Sequence, residues 1–123
     1  VLSLLIKLAA VALLGPSPEI VVVFEVALNA CAIFNHSNVG LPGALDRLVR
    51  LFLVTPDMHR VHHSAVKEET DSNFGFNLPW WDRLFGTYRA DARAGQAGMT
   101  IGLSEFRDPA SQGFLGMLLL PFK

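Results

Sequence analysis

The sequence holds one cysteine, Cys31, in 123 residues, so neither an internal disulfide nor a multi-cysteine zinc site is available to it. Charge is also scarce. Only 17% of residues are charged, and ten Lys and Arg against eleven Asp and Glu leave a net charge of -1. With no basic excess to neutralise a phosphate backbone, nucleic acid is excluded as a leading partner. The sequence contains no H-E-x-x-H, and with it lacks the general-base glutamate of the zinc-protease pattern. It has no internal repeat and no low-complexity tract. An initiating methionine is missing too: the chain starts at Val1, already inside an apolar run, which predicts truncation at the N-terminus.

What is present is apolar and unevenly arranged. Hydrophobic residues make up 51% of the chain, more than an ordinary soluble domain of this size carries. Residues 1–45 hold only Lys7, Glu19 and Glu25, whereas residues 46–94 hold seven basic and seven acidic side chains. A membrane-embedded start followed by a water-facing body explains that split. The run from Val1 to Leu14 would span roughly 21 Å as a helix, short of the ~30 Å hydrocarbon core, and reads as the end of a longer span. Gly15-Pro16-Ser17-Pro18 breaks it, and Pro18 with Glu19 opens a second helix to about Phe34. Within that helix Glu25 and Asn29 lie four apart, on one face, as expected if the stripe meets protein or a polar cavity rather than lipid. A buried hairpin of a soluble protein is the competing reading.

Leu41-Pro42-Gly43 breaks the chain again. Residues 44–54 then place Leu45, Leu48, Val49 and Phe52 apart from Asp46, Arg47 and Arg50, the pattern of a helix lying along a membrane surface. The turn between the first two helices has no Lys or Arg, while the segment after Phe34 has many, a bias that puts this later segment in the cytoplasm. The whole reads as one partial, all-α, integral-membrane domain. Membrane helices occupy 1–34, a cytosolic histidine-box and aromatic region 35–94, and a tail with a short apolar segment 95–123.

All four histidines fall where the apolar part meets the polar part: His36, His59, His62 and His63. Thr55-Pro56-Asp57 is a helix start, with Thr as N-cap, Pro in the first position and Asp in the first turn. On that helix His62 lies ~60° to one side of His59 and His63 ~40° to the other, so three imidazoles crowd an arc of about 100°. Neutral ring nitrogens so placed can coordinate metal. Because His62 and His63 diverge, two adjacent ions suit the helix better than one. His36, at the polar end of the apolar helix, completes the candidate ligands. Asp57 and Asp71 are candidate acceptors for imidazole N–H groups, and Glu68 and Glu69 read as solvated loop acids. Trp80, Trp81, Phe85 and Tyr88 suit a membrane interface and read first as an aromatic packing platform beneath the box. Asp82 and Arg83 read as surface or helix-end groups, and Gly86 as the end of a short helix after Pro79.

Three blocks together resemble the C-terminal half of the fatty acid hydroxylase and sterol desaturase superfamily: Phe34-Asn35-His36-Ser37-Asn38; Val54-Thr55-Pro56-Asp57-Met58-His59-Arg60-Val61-His62-His63-Ser64; and the run from Asp71 to Tyr88 containing Asn73-Phe74-Gly75-Phe76-Asn77 and Trp80-Trp81-Asp82-Arg83-Leu84-Phe85-Gly86. The resemblance covers about Ile20 to Tyr88. It implies a membrane-bound non-haem di-iron oxygenase in which two iron ions activate O2 to hydroxylate or desaturate a lipid C–H bond, with electrons from a separate donor protein. It also implies a place in the membrane, the bacterial inner membrane by preference, with the histidines facing the cytoplasm. By resemblance His59, His62 and His63 form the final H-x-x-H-H box, and His36 matches the histidine before it. Some members pair that histidine with another four residues on, where this chain has Gly40. The family's earlier spaced pair and its other H-x-x-H-H are absent, so the ligand set for two irons is incomplete here. The chain alone is expected to be inactive or partly metallated, with zinc able to enter isolated preparations. The alternative function is a non-catalytic membrane protein holding one zinc through its histidines.

Overall fold

In the computed structural model, residues 2–103, 105, 106 and 108–120 are described. Among them the chain is helical, with no strand beyond an isolated antiparallel bridge between Ser64 and Ile101. The helices are α1 Leu2–Leu14, α2 Pro18–Asn35, α3 Gly43–Val49, α4 Pro56–His62, α5 Lys67–Thr70, α6 Trp80–Phe85, α7 Gly95–Gly98, α8 Pro109–Gln112 and α9 Phe114–Leu119. The expected short apolar segment of the tail contains α9, which ends at Leu119 with Leu120 as its C-cap, and residues 121–123 lie outside the described set, as does Val1.

Helices α1 and α2 form where the apolar runs predict them. Pro18 stands in the first turn of α2 with Glu19 at the positive end of the helix dipole. α2 is the one described helix long and apolar enough to cross a membrane. Asn35 is its sole buried residue. The predicted polar stripe has a partner: Lys7 Nζ of α1 meets Glu25 Oε1 of α2 at 2.7 Å, and Asn29 Nδ2 donates to the Glu25 carbonyl at 2.7 Å.

The helix expected over 44–54 is shorter, ending at Val49. Leu51 N donates to Leu48 O and Phe52 N to Val49 O, bonds one residue tighter than the α pattern, and Val54 N leaves the segment altogether to donate to Asn77 O. Pro56 enforces the exit, since the residue before a proline is pushed to extended geometry, and Thr55 sits at φ -98°, ψ 161°. Thr55 caps α4 as predicted: its hydroxyl accepts from Met58 N at 3.4 Å and from Arg50 Nε at 3.1 Å. Gly86, at φ 72°, ends α6 in the left-handed conformation that glycine takes without strain.

The interior holds few apolar side chains. Val54, Met58, Val61 and Ala92 are buried, beside the polar Asn35, Asp46, Arg50, Thr55, His59, Ser64, Glu69, Ser72, Asn73 and Asp82. Polar side chains satisfying backbone groups therefore organise this region as much as apolar burial does.

Candidate metal centre

Two helices deliver three imidazoles to one point. His36 is the C-cap of α2, His59 lies within α4, and His63 is the C-cap of α4. Their Nε2 atoms form a triangle: 3.2 Å from His59 to His36, 3.3 Å from His63 to His36, and 3.1 Å from His63 to His59. Metal–imidazole bonds of about 2.0–2.1 Å at angles between octahedral and tetrahedral separate ligand nitrogens by about 2.9–3.4 Å. The triangle thus fits three ligands on one face of a single ion. The candidate ligand atoms of His36, His59 and His63 all lie within 4.8 Å of one another.

Ring orientation is fixed from the back. His36 Nδ1–H donates to Ala32 O, one turn earlier in α2, at 2.8 Å, which leaves the His36 Nε2 lone pair toward the triangle. His62 does not join the triangle. Its ring stacks on that of His59 with centroids 5.7 Å apart, and its Nδ1–H donates to Ser72 O at 2.9 Å, leaving Nε2 as a free acceptor beside the other three. The sequence-level divergence of His62 from His63 is thus present in the structure, while His59 and His63 converge with His36. Asp57 and Asp71 do not serve the imidazoles. Asp57 pairs with Arg60 at 3.4 Å, Asp71 is exposed, and the observed N–H acceptors are backbone carbonyls.

Electrostatics favour the neutral form of His59 and His63. Burial, reinforced by the neighbouring His63, His36 and His62, pushes the pKa of His59 down to about 4. Burial and the adjacent His62 and His36 lower that of His63 as well. Neutral imidazoles are the metal-binding form. Among the described residues, three buried side-chain atoms have no hydrogen-bond partner: His59 Nδ1, Asn35 Oδ1 and Asn77 Oδ1.

Residues outside the histidine box build its frame, and sequence reasoning passed over most of them. Glu69, read as a solvated acid, is buried: Oε2 accepts from Ser64 Oγ at 2.6 Å and Oε1 from Arg93 N at 2.7 Å. These bonds hold its carboxyl below the usual range. Ser72, whose carbonyl orients His62, donates its hydroxyl to Glu69 O at 2.6 Å. Asp82, read as a surface group, is 1% exposed. Its carboxylate accepts from Phe74 N and Gly75 N, both at 2.8 Å, and from Thr87 Oγ1 at 2.6 Å. The carboxylate comes so close that a Cβ on Gly75 would lie 2.6 Å from Asp82 Oδ2 and 2.7 Å from Leu78 O. Asn73, at φ 50°, donates to Met58 O and Arg89 O and accepts from Arg89 N, each at 2.9 Å, and so ties α4 to the segment beyond α6. The rings facing the histidines are Phe74 against His62 at 5.6 Å and Phe76 against His59 at 6.1 Å. The aromatic platform expected from Trp80, Trp81 and Phe85 is not there: these side chains are exposed, and Tyr88 stacks under Arg83 at 4.1 Å. The signal for the true frame was a polar, small-residue run, Asp71-Ser72-Asn73-Phe74-Gly75, ahead of an acid enclosed by aromatics.

Beside the triangle opens a cleft of about 380 Å3 lined by Asn35, His36, Asn38, Arg60 and His63 among others. Converging imidazoles at the end of a membrane-length helix, backed by carbonyl acceptors, define a helical histidine-box protein. The chain belongs to the fatty acid hydroxylase family, whose sequence model matches residues 1–87. It is 37% identical over 91 residues to the ornithine lipid hydroxylase OlsE of Rhizobium tropici, covering 73% of this chain and 25% of that protein. It is also similar to the alkylglycerol monooxygenases of Homo sapiens, 36% identical over 58 residues (47% of this chain, 13% of the relative), and of Xenopus tropicalis, 39% over 54 residues (44% and 12%). The chain thus spans about a quarter or less of the length of these relatives. No solved structure matches it.

Proposed function

We propose that this chain is the C-terminal part of an integral-membrane, non-haem di-iron oxygenase that hydroxylates a lipid with O2. The observation that carries the reading is the triangle of Nε2 atoms from His36, His59 and His63, sized for one ion. His62, with its Nδ1 tied back and its Nε2 free, is the residue of this chain for a second ion, whose other ligands come from the rest of the protein. Iron, when bound, supplies the redox chemistry that lets O2 attack a strong C–H bond. One oxygen atom enters that bond and the other leaves as water, with two electrons from a separate donor protein and two protons from solvent.

The chain's own residues bind and orient. Ala32 O and Ser72 O set the rings of His36 and His62, and the Asp82 and Glu69 clamps hold the loop that carries Phe74 and Phe76. Those two rings exclude water from one side of the imidazoles. The names of the relatives, a hydroxylase and monooxygenases, support oxygen insertion over desaturation and a lipid as substrate. The apolar hairpin supports a membrane location, the distribution of positive charge supports histidines toward the cytoplasm, and the family resemblance favours the bacterial inner membrane over the endoplasmic reticulum.

The test is substitution in the full-length protein. His62→Ala and His63→Ala should each abolish lipid hydroxylation while membrane insertion persists, and His63→Ala should also lower bound iron. Turnover retained in either variant refutes the ligand assignment. Full activity with stoichiometric zinc in place of iron refutes the oxygenase reading.

A further inference from the structure

Residues 93–102 lie beyond residue 87, where the match to the family's sequence model ends, yet they run along the helix that carries the histidines. Arg93 N donates to the buried Glu69 Oε1 at 2.7 Å and anchors the start of the segment. From α7 the Gln96 amide reaches both the first turn and the middle of α4. Its Nε2 donates to Asp57 O at 2.9 Å, and its Oε1 accepts from Arg60 Nη1 at 3.3 Å. The segment then pairs antiparallel with the chain that leaves α4. Ala65 N donates to Thr100 O at 2.8 Å, Ser64 forms its bridge with Ile101, and Gly102 N donates to His63 O at 2.8 Å.

His63 is the histidine that depends most on where its main chain lies. Ala32 O orients the His36 ring, Ser72 O orients the His62 ring, and His59 is buried. The His63 ring is only half-buried, and among the described residues its nitrogens meet no acceptor but the other imidazoles. Its helix has seven residues, too short to keep its shape alone. Ligand atoms must be held to within about 0.5 Å to act together, so the register of α4 has to be fixed from outside. Asn73 grips the helix at Met58 O, which leaves its far end to residues 100–102.

We infer that residues 93–102 are a positioning splint for the metal centre, in which the Gln96 amide and the Gly102 N–H keep His63 in register with His59 and His36. Neither group is a ligand; both act through α4 and its C-cap. The inference deepens the metal reading of the imidazole triangle and rests on it, and it adds a part that the H-x-x-H-H pattern does not contain.

The experiment compares the 123-residue chain in detergent with Gln96→Ala and Gly102→Pro. Alanine removes both amide contacts with α4, and proline removes the Gly102 N–H together with the φ of 93° that aims it. The first readout is free of metal: the ring-nitrogen NMR signals of the histidines. Those of His59 and His63 should shift or split in both variants while the helical circular dichroism is unchanged. The second is cobalt(II), followed by its visible absorption, whose affinity should fall about tenfold or more in each variant with the same spectrum at saturation. A brace that served stability alone would lower the denaturation midpoint and move neither readout. Should Gly102→Pro not fold, Gln96→Ala decides. Unmoved ring signals in Gln96→Ala overturn the inference, as does a cobalt affinity within about twofold of that of the unaltered chain. An unaltered chain that takes up no cobalt refutes the metal reading instead, and the ring signals then decide the splint by themselves.

Discussion

Leu13 and Leu14 in the hairpin are more than 80% exposed, whereas Met58 and Val61 behind the histidines are fully enclosed. In residues 2–35 the Lys7–Glu25 ion pair links two long helices, and most of their apolar surface faces outward. Residues 54–93 do the reverse. Their helices are four to seven residues long, too short to stand alone, yet Asn73, Glu69, Asp82 and Thr55 are buried and spend their side chains on backbone groups. The difference teaches where each part finds its stability. The hairpin needs an apolar surrounding to bury its side chains, while the box region builds its own frame from hydrogen bonds.

That contrast can be broken most forcefully at Asp82. Asp82→Ala removes the acceptor of two buried N–H groups and a hydroxyl, and should cost about 3–5 kcal/mol of box-region stability in denaturant titrations of the chain in detergent. A loss under about 1 kcal/mol would mean that the frame is not held by this carboxylate. Gly75→Ala tests the same clamp from the other side. With a Cβ pressed against Asp82 Oδ2 and Leu78 O it should cost about 1–3 kcal/mol, and an unchanged midpoint would show that the loop can relax.

A third test uses pH. Glu69 titrates lower in the folded chain than in the unfolded one, whose carboxyl sits near ~4.3. Its contribution is therefore complete above that value and is lost as pH falls through the depressed folded pKa. Glu69→Gln should be less stable at neutral pH and should flatten the acid limb of the stability profile. Parallel profiles for the two proteins would remove Glu69 from the account. The smallest effect belongs to the hairpin: Leu13→Ala should shift box-region stability by less than about 0.5 kcal/mol, and a larger shift would show that the two regions fold as one unit.

Much of this was legible in the residues. Pro18 and Glu19 marked the start of α2, Thr55-Pro56-Asp57 that of α4, and the H-x-x-H-H spacing placed His62 apart from His63. His36 was readable as a candidate because it ends an apolar helix, but its approach to His59 depends on how α2 crosses α4, which no local pattern encodes. The buried acids were misread for a related reason. The partners of Glu69 and Asp82 are mostly backbone N–H groups of residues 74, 75 and 93, and a backbone amide leaves no trace in a residue's identity. Asp57 and Asp71 failed as imidazole acceptors because carbonyls such as Ala32 O, one turn back in the same helix, were already in place.

The clamp at Asp82 carries a consequence for how such a site can diversify. It grips the main chain at Phe74 and Gly75 and makes no demand on the side chain at 74, and Phe76 is likewise held through its carbonyl by Asn35. The two aromatic walls beside His62 and His59 are therefore exchangeable panels on a fixed chassis. Their shape can drift while the histidines stay in register.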